Sequence, residues 1–152
     1  MTPFRAPPDY ARWPEVATLI HRAFAYMEPI LGFAPAAATV SVERLIQGAE
    51  IGTAYVIEAD TAPVACLFTR PSRDFPDALF LGALAVDETC RGRGLADALI
   101  EAAEQEAREK GYKALKLDTG RALTELHGFF RRHGFDDLPG DGEIITFRKA
   151  LA

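Results

Sequence analysis

The stretch that decides the fold covers residues 78–111 and reads ALFLGALAVDETCRGRGLADALIEAAEQEAREKG. Its first part, Ala78–Val86, carries no charge, which predicts a strand buried on both faces and too short to cross a membrane. From Leu95 the apolar residues return with the period of a helix that buries one face, and Gly111 predicts its end. The stretch therefore predicts a strand, a loop and an amphipathic helix.

The loop between this strand and helix has the composition of an anion-binding site. Two glycines allow the backbone a positive φ and a close approach to a ligand, and the free amides of the first helical turn point outward. Two arginines add positive charge. A tight turn with solvent-exposed arginines is the alternative. We predict that a phosphate or pyrophosphate binds here, at Arg91, Gly92, Arg93, Gly94, Leu95 and Ala96.

This loop resembles the Q/R-x-x-G-x-G/A signature of the GNAT acyltransferase superfamily, which also follows an apolar strand. A second resemblance lies downstream, where LHGFFRRHGF at residues 126–135 is similar to the late helix and closing Gly-Phe of that family. Together the two motifs cover about the C-terminal half of the chain. Two motifs in the right order are more specific than either alone.

The resemblance implies acetyl-CoA, or another acyl-CoA, as donor and a primary amine of a small molecule or peptide as acceptor, which attacks the thioester directly. The pyrophosphate would lie on the loop. The pantetheine arm would bond like an added strand to Leu84, Ala85 and Val86, and a backbone N–H near Ala85 would polarise the thioester carbonyl. The segment after the first helix would form the acceptor pocket, with Tyr26, Met27, Glu28 and Phe33 as candidates. A proline-rich surface loop is the alternative for that segment.

The catalytic residues of the family are only partly present. Many members carry a tyrosine four residues before the late glycine, where this chain has Phe130, and an asparagine earlier in that helix, where Leu123 and Leu126 stand. A phenyl ring cannot protonate the leaving thiolate. The candidates for a general base are Glu28, Asp118 and His127, and water is the alternative. A non-catalytic acyl-CoA binding or sensing module is therefore the competing function.

Two other nucleotide-binding motifs fit poorly. The sequence GRGLAD at residues 92–97 imitates a dinucleotide-binding G-x-G-x-x-G, and Asp118 follows at a strand end. However, Asp97 replaces the third glycine, the preceding loop is long, and too little chain follows for a second half-domain. A P-loop is excluded because the chain has no Gly-Lys-Ser/Thr.

The composition indicates one globular domain covering residues 1–152, with 49% hydrophobic and 26% charged residues. The net charge of −5 argues against a nucleic-acid partner. Cys66 and Cys90 lack metal-site spacing, and the N-terminal residues lack a secretory signal, so we expect a cytoplasmic protein with free thiols, no metal and no membrane partner. The sequence is compatible with a homodimer.

The predicted fold class is α/β, of the mixed α+β kind. It has a single open mixed sheet flanked by helices, as in GNAT proteins. The strand after the main helix is expected to pair parallel with Ala78–Val86. The remaining predictions are a strand at 4–5, a helix at 13–26, a loop at 26–38, a helix at 41–49, strands at 53–58, 64–69 and 114–118, a helix at 123–133, and strands at Phe135 and 143–148.

Overall fold

The computed structural model describes residues 1–152 and contains one seven-stranded sheet with five helices. The strands are β1 (Phe4–Arg5), β2 (Thr53–Ala59), β3 (Ala62–Pro71), β4 (Ala78–Val86), β5 (Ala114–Gly120), β6 (Asp136–Asp137) and β7 (Ile144–Ala150). The helices are α1 (Trp13–Phe24), α2 (Met27–Leu31), α3 (Val42–Ile51), α4 (Leu95–Glu109) and α5 (Thr124–Arg132). Short 3-10 turns lie at Ala36–Thr39 and Glu88–Cys90.

The predicted single open mixed sheet is confirmed. Its strand order is β1-β2-β3-β4-β5-β7-β6, and only the β4–β5 pair is parallel. Because α4 connects these two strands, the predicted strand–helix–strand crossover is also confirmed.

Helices cover the sheet on both faces. Strand β2 shows this by alternation: Tyr55 and Ile57 join a core with α4 and α5, whereas Ala54 and Val56 join a second core with α1 and α3. The apolar stripe of α4 lies in the first core, as its sequence period predicts. The sheet is therefore the middle layer of three, and α4 holds its N-terminus beside the end of β4.

The two parallel strands separate part of the way along. They pair only over residues 78–80 of β4 and 114–116 of β5, although β4 continues to Val86 and β5 to Gly120. Beyond the paired residues, the edges of β4 and β5 that face each other have no strand partner. A gap therefore opens in the centre of the sheet.

A bulge in β4 lies next to this gap. Ala83 has a φ of 52°, and Ala83 and Leu84 together oppose the single residue Leu67 of β3. A bulge bends its strand and increases the local twist, which turns the end of β4 away from β5.

The predicted loop at 26–38 is wrong in part, because residues 27–31 form the short helix α2 and residues 36–39 form a 3-10 turn. The residues that indicated a loop instead bound these elements. Pro29 lies in the first turn of α2, where no backbone hydrogen bond is required of it, and Gly32, with a φ of 83°, ends the helix. Pro35 precedes the 3-10 turn.

Other predicted boundaries shift by a few residues. Helix α1 ends at Phe24, and Ser41 caps α3 by accepting a hydrogen bond from the Arg44 amide at 3.2 Å. The strand predicted at Phe135 begins at the next residue, while the Phe135 ring is buried in the core.

A buried carboxylate fixes α4 to the sheet. Glu106 accepts hydrogen bonds from the Tyr55 hydroxyl at 2.7 Å, the Thr69 hydroxyl at 2.9 Å and the Lys110 ammonium at 2.8 Å. Burial alone would raise the pKa of the Glu106 carboxyl, but these hydrogen bonds together hold it below its ordinary value of 4.5. The network joins α4 to β2 and β3 and so fixes the helix that carries the glycine loop.

We expect Glu106→Gln to lower the free energy of unfolding at neutral pH by about 1.5–3 kcal/mol, because hydrogen bonds to a charged group are lost. A depressed carboxyl pKa gives a stabilisation that is complete above 4.5 and is lost as pH falls through the folded-state value. The difference between wild type and variant should therefore shrink on acidification. Urea unfolding of wild type and variant at neutral pH and at acidic pH measures this difference. Glu101→Gln, exposed on the same helix, is the control, and a pH-independent difference would contradict the prediction.

Candidate active site

A cavity of about 1030 Å³ occupies the gap between β4 and β5. It is lined by 34 residues, of which 23 are hydrophobic. One side is formed by the start of α4 and by α5. The other side is formed by residues 26–36, which connect α1 to α3 and which we call the crossing segment. The cavity thus passes through the sheet and joins its two faces.

The glycine loop forms one end of this cavity. Gly92 and Gly94 have φ values of 79° and 77°, and a Cβ on either would meet no atom within 4 Å. Gly94 is the N-cap of α4, and no side chain caps the first turn. Free amides, the positive end of the helix dipole and open space are therefore together in one place, which suits a bound anion.

The edge of β4 in the cavity offers backbone groups to a ligand. The Asp87 amide donates to the Val64 carbonyl of β3 at 2.8 Å, so the backbone groups of Ala85, two residues earlier, also face β3. Alternation turns the backbone groups of Leu84 and Val86 towards β5, which does not pair there. The structure therefore offers Leu84 and Val86, rather than Ala85, as backbone partners for a ligand in the gap.

Most of the predicted binding residues meet in the cavity. Arg93 and Glu28 do not line it, and both are exposed. The predicted residues that do line it are Tyr26, Met27, Phe33, Leu84, Ala85, Val86, Arg91, Gly92, Gly94, Leu95 and Ala96.

The three predicted bases lie in different surroundings. Asp118 lines the cavity, and its oxygens accept from the Thr146 hydroxyl at 2.8 Å and the Lys116 ammonium at 3.2 Å. His127 is buried outside the lining, with Nε2 3.0 Å from the Gly120 carbonyl oxygen, which fixes a proton on that nitrogen. Because Glu28 also lies outside, only Asp118 of the three reaches the cavity.

Glu125 is a cavity carboxylate that sequence reasoning missed. It lies in the first turn of α5 and makes no hydrogen bond or ion pair within the protein. The Tyr26 phenol lies near both Glu125 and Arg91. Burial and the negative charge of Glu125 raise the pKa of this phenol, whereas the positive charge of Arg91 lowers it. The predicted parallel pairing of β4 and β5 could have pointed to Glu125, because it brings the chain that follows β5 to the edge of the sheet where the glycine loop lies.

The end of α5 adds a second missed group of residues beside the glycine loop. Arg132 lines the cavity. The neighbouring His133 has Nε2 2.5 Å from an Asp97 oxygen and Nδ1 2.9 Å from the Phe129 carbonyl oxygen. These two contacts hold the imidazole ring between α5 and the first turn of α4. Arg91 and Arg132 give this end of the cavity a positive character.

Phe130 occupies the family's tyrosine position as a largely buried side chain that also reaches the cavity wall. Its ring centroid lies 5.8 Å from that of Phe147 and 6.0 Å from that of Phe135. No hydroxyl is available at this position, so the ring contributes packing rather than a proton.

An open mixed sheet that parts between two parallel strands, with a glycine-rich loop at a helix start beside the gap, defines the acyl-CoA-dependent acyltransferase class. The chain belongs to the acetyltransferase (GNAT) family, whose model matches residues 13–135. It is an N-acetyltransferase of the GNAT type. Among curated proteins, none matches this sequence.

Solved structures share the fold over almost the whole chain. A PaiA N-acetyltransferase from Thermoplasma acidophilum in complex with coenzyme A has a TM-score of 0.80 at 13% identity, covering 99% of this chain and 100% of that one. A ribosomal-protein-alanine N-acetyltransferase from Brucella melitensis has a TM-score of 0.76 at 19% identity, with coverage of 99% and 100%. An acetyltransferase from Thermus thermophilus has a TM-score of 0.70 at 22% identity, with coverage of 99% and 98%.

No group of three or more His, Cys, Asp or Glu side chains is placed to hold a metal ion. No helix combines the length and the apolar character that a membrane crossing requires.

Proposed function

We propose that residues 1–152 act as a single acyltransferase domain that transfers the acetyl group of acetyl-CoA to a primary amine of a small molecule or peptide by direct attack. One observation carries this proposal: the unpaired edge of β4 and the uncapped start of α4 face the same cavity. The pantetheine arm of acetyl-CoA is extended and leads to a pyrophosphate. It therefore needs backbone N–H and C=O partners along its length, followed by an anion site. The cavity offers both in that order.

The pyrophosphate and the pantetheine arm of coenzyme A each have chemically matched groups in this proposal. The amides of the glycine loop would hold the pyrophosphate, with Arg91 and Arg132 supplying charge. The backbone groups of Leu84 and Val86 would bond to the pantetheine amides as a neighbouring strand does. A backbone N–H of the same edge would then stabilise negative charge on the thioester oxygen.

The acetyl thioester supplies the chemistry: its C–S bond breaks as a C–N bond to the amine forms. The amine must be uncharged to attack and must lose a proton afterwards. Glu125 and Asp118 are the cavity carboxylates on the acceptor side, and of the two only Glu125 has no partner within the protein to compete for its oxygens. Phe130 cannot protonate the thiolate, so water does so. A thiol pKa of about 8.5 makes this leaving group tolerable without a protein acid.

The alternative is an acyl-CoA binding or sensing module, which the missing tyrosine favours. Catalysis is preferred because holding two reactants in one cavity itself accelerates aminolysis strongly.

Turnover separates the two functions. We expect acetyl-CoA to bind in calorimetry and to release free thiol in the presence of a suitable primary amine. The rate should rise with pH until the bound amine, or the carboxylate that takes its proton, is deprotonated. The control is the rate of acetyl-CoA hydrolysis without amine. Binding without transfer to any amine of a broad panel would replace the transferase by the sensing module.

A further inference from the structure

Half of the exposed large hydrophobic residues of the chain line the cavity. Six large hydrophobic residues of the chain are exposed, and three of them line the cavity: Tyr26 at 45%, Phe33 at 43% and Ile144 at 55% exposure. Tyr26 and Phe33 lie on the crossing segment, and Ile144 begins β7. We call these three residues the apolar mouth. Exposed apolar groups that gather at a cavity opening mark a place where a ligand covers them.

Ile144 of the apolar mouth lies on the face of the sheet opposite α4. Leu117 belongs to the core under α4 and α5, so Asp118, next in β5, faces the opposite side of the sheet. Ile144 pairs with Gly120 at the same strand end. A ligand that covers Ile144 would therefore approach the gap from the face opposite α4, while Tyr26 lies within reach of the Arg91 charge of the glycine loop.

Few charges at this opening are available to a ligand. Asp118 is engaged by Thr146 and by Lys116, which is itself buried and also paired with Asp74 at 3.1 Å. Of the carboxylates that line the cavity, Glu125 has no partner within the protein, and the Arg91 charge, which also reaches Tyr26, is assigned to the pyrophosphate in the proposed complex. One free carboxylate matches one ammonium group, and a ligand with several charged or hydroxyl groups would leave most of them without partners against the apolar wall.

The crossing segment also restricts the shape of the ligand. The Leu31 side chain lies against Gly120, where an added Cβ would stand 2.5 Å from Leu31 Cδ2. This contact joins the crossing segment to the end of β5 and bounds the cavity on that side. A compact ligand fits such an opening better than an extended chain.

We propose that the acceptor is a small primary monoamine with a bulky apolar group, either an arylalkyl or a branched alkyl amine. This proposal rests on the transferase function and names the substrate class of the same cavity. The amine nitrogen enters towards the gap, while the apolar group covers Tyr26, Phe33 and Ile144. A free carboxylate beside an apolar surface recognises this combination of one charge and one hydrophobic body.

The test compares amines of different skeleton with saturating acetyl-CoA and thiol release as readout. We expect kcat/KM for phenethylamine and isopentylamine to exceed that for spermidine, glucosamine and a peptide with a free N-terminus by about fivefold or more. A preference for any of those three would overturn the inference and leave the transferase function standing. No transfer to any amine, with acetyl-CoA still bound, would instead overturn the transferase function, and the inference with it.

Variants of the apolar mouth give a second, independent readout. We expect Phe33→Ser and Ile144→Ser to raise KM for phenethylamine about fivefold with little change in kcat, and to leave KM for ethylamine nearly unchanged. Both side chains are exposed, so the variants should fold. Ile51→Ser is the matched control, because Ile51 is 69% exposed and lies outside the cavity. Equal effects on both amines, or none on either, would show that these side chains do not contact the acceptor.

Discussion

Gly94→Val is expected to weaken acetyl-CoA binding more than tenfold, which corresponds to about 1.4 kcal/mol or above. Gly94 has a φ of 77° and caps α4 where the pyrophosphate would lie. A valine there places two methyl groups in the open space beside the loop amides and holds a β-branched residue in a conformation it disfavours. Titration calorimetry of the folded variant with acetyl-CoA measures the loss.

Backbone strain alone is a competing explanation for that loss, and Gly111→Val controls for it. Gly111 has a φ of 80°, also meets no atom within 4 Å of an added Cβ, and follows the other end of the same helix. Both variants should lose similar stability, but only Gly94→Val should lose affinity. Wild-type affinity in Gly94→Val, or equal losses in the two variants, would remove the loop from the binding site.

Phe130→Ala is expected to lower the free energy of unfolding by about 3–5 kcal/mol. The ring is largely buried among Phe129, Phe135 and Phe147. Its removal therefore leaves a cavity between α5 and the sheet. Thermal and urea unfolding measure the change. Phe33→Ala, at a half-exposed phenylalanine, should change stability far less. An unchanged melting temperature for Phe130→Ala would show that the ring is not packed.

Phe130→Tyr tests the same position for chemistry. The ring also lines the cavity, so an added hydroxyl has a route to polar partners there. We expect the variant to fold and to leave kcat unchanged or raise it, because a phenol restores a proton donor for the thiolate. Steady-state kinetics at several pH values measure this. A fall in kcat with intact acetyl-CoA binding would mean that the protein depends on an apolar side chain at this position.

The local elements of the site follow from the sequence because their causes are local. The uncharged run of β4, the apolar period of α4 and the two glycines between them each determine a backbone conformation through neighbouring residues alone. The parallel pairing of β4 and β5 also follows, since a strand–helix–strand crossover admits few arrangements. The glycine loop was therefore predictable in position and in backbone geometry.

The acceptor side of the cavity was decided by contacts between residues distant in sequence. The bulge at Ala83 and the early end of pairing at Phe80 open the gap, and neither leaves a local pattern. Sequence spacing did not distinguish among Glu28, Asp118 and His127 as the general base. In the folded chain His127 is buried, Glu28 lies outside the cavity lining, and Glu125 lies within it. Periodicity determines which face of an element is buried, whereas the faces that meet across a gap depend on how the whole sheet bends and packs.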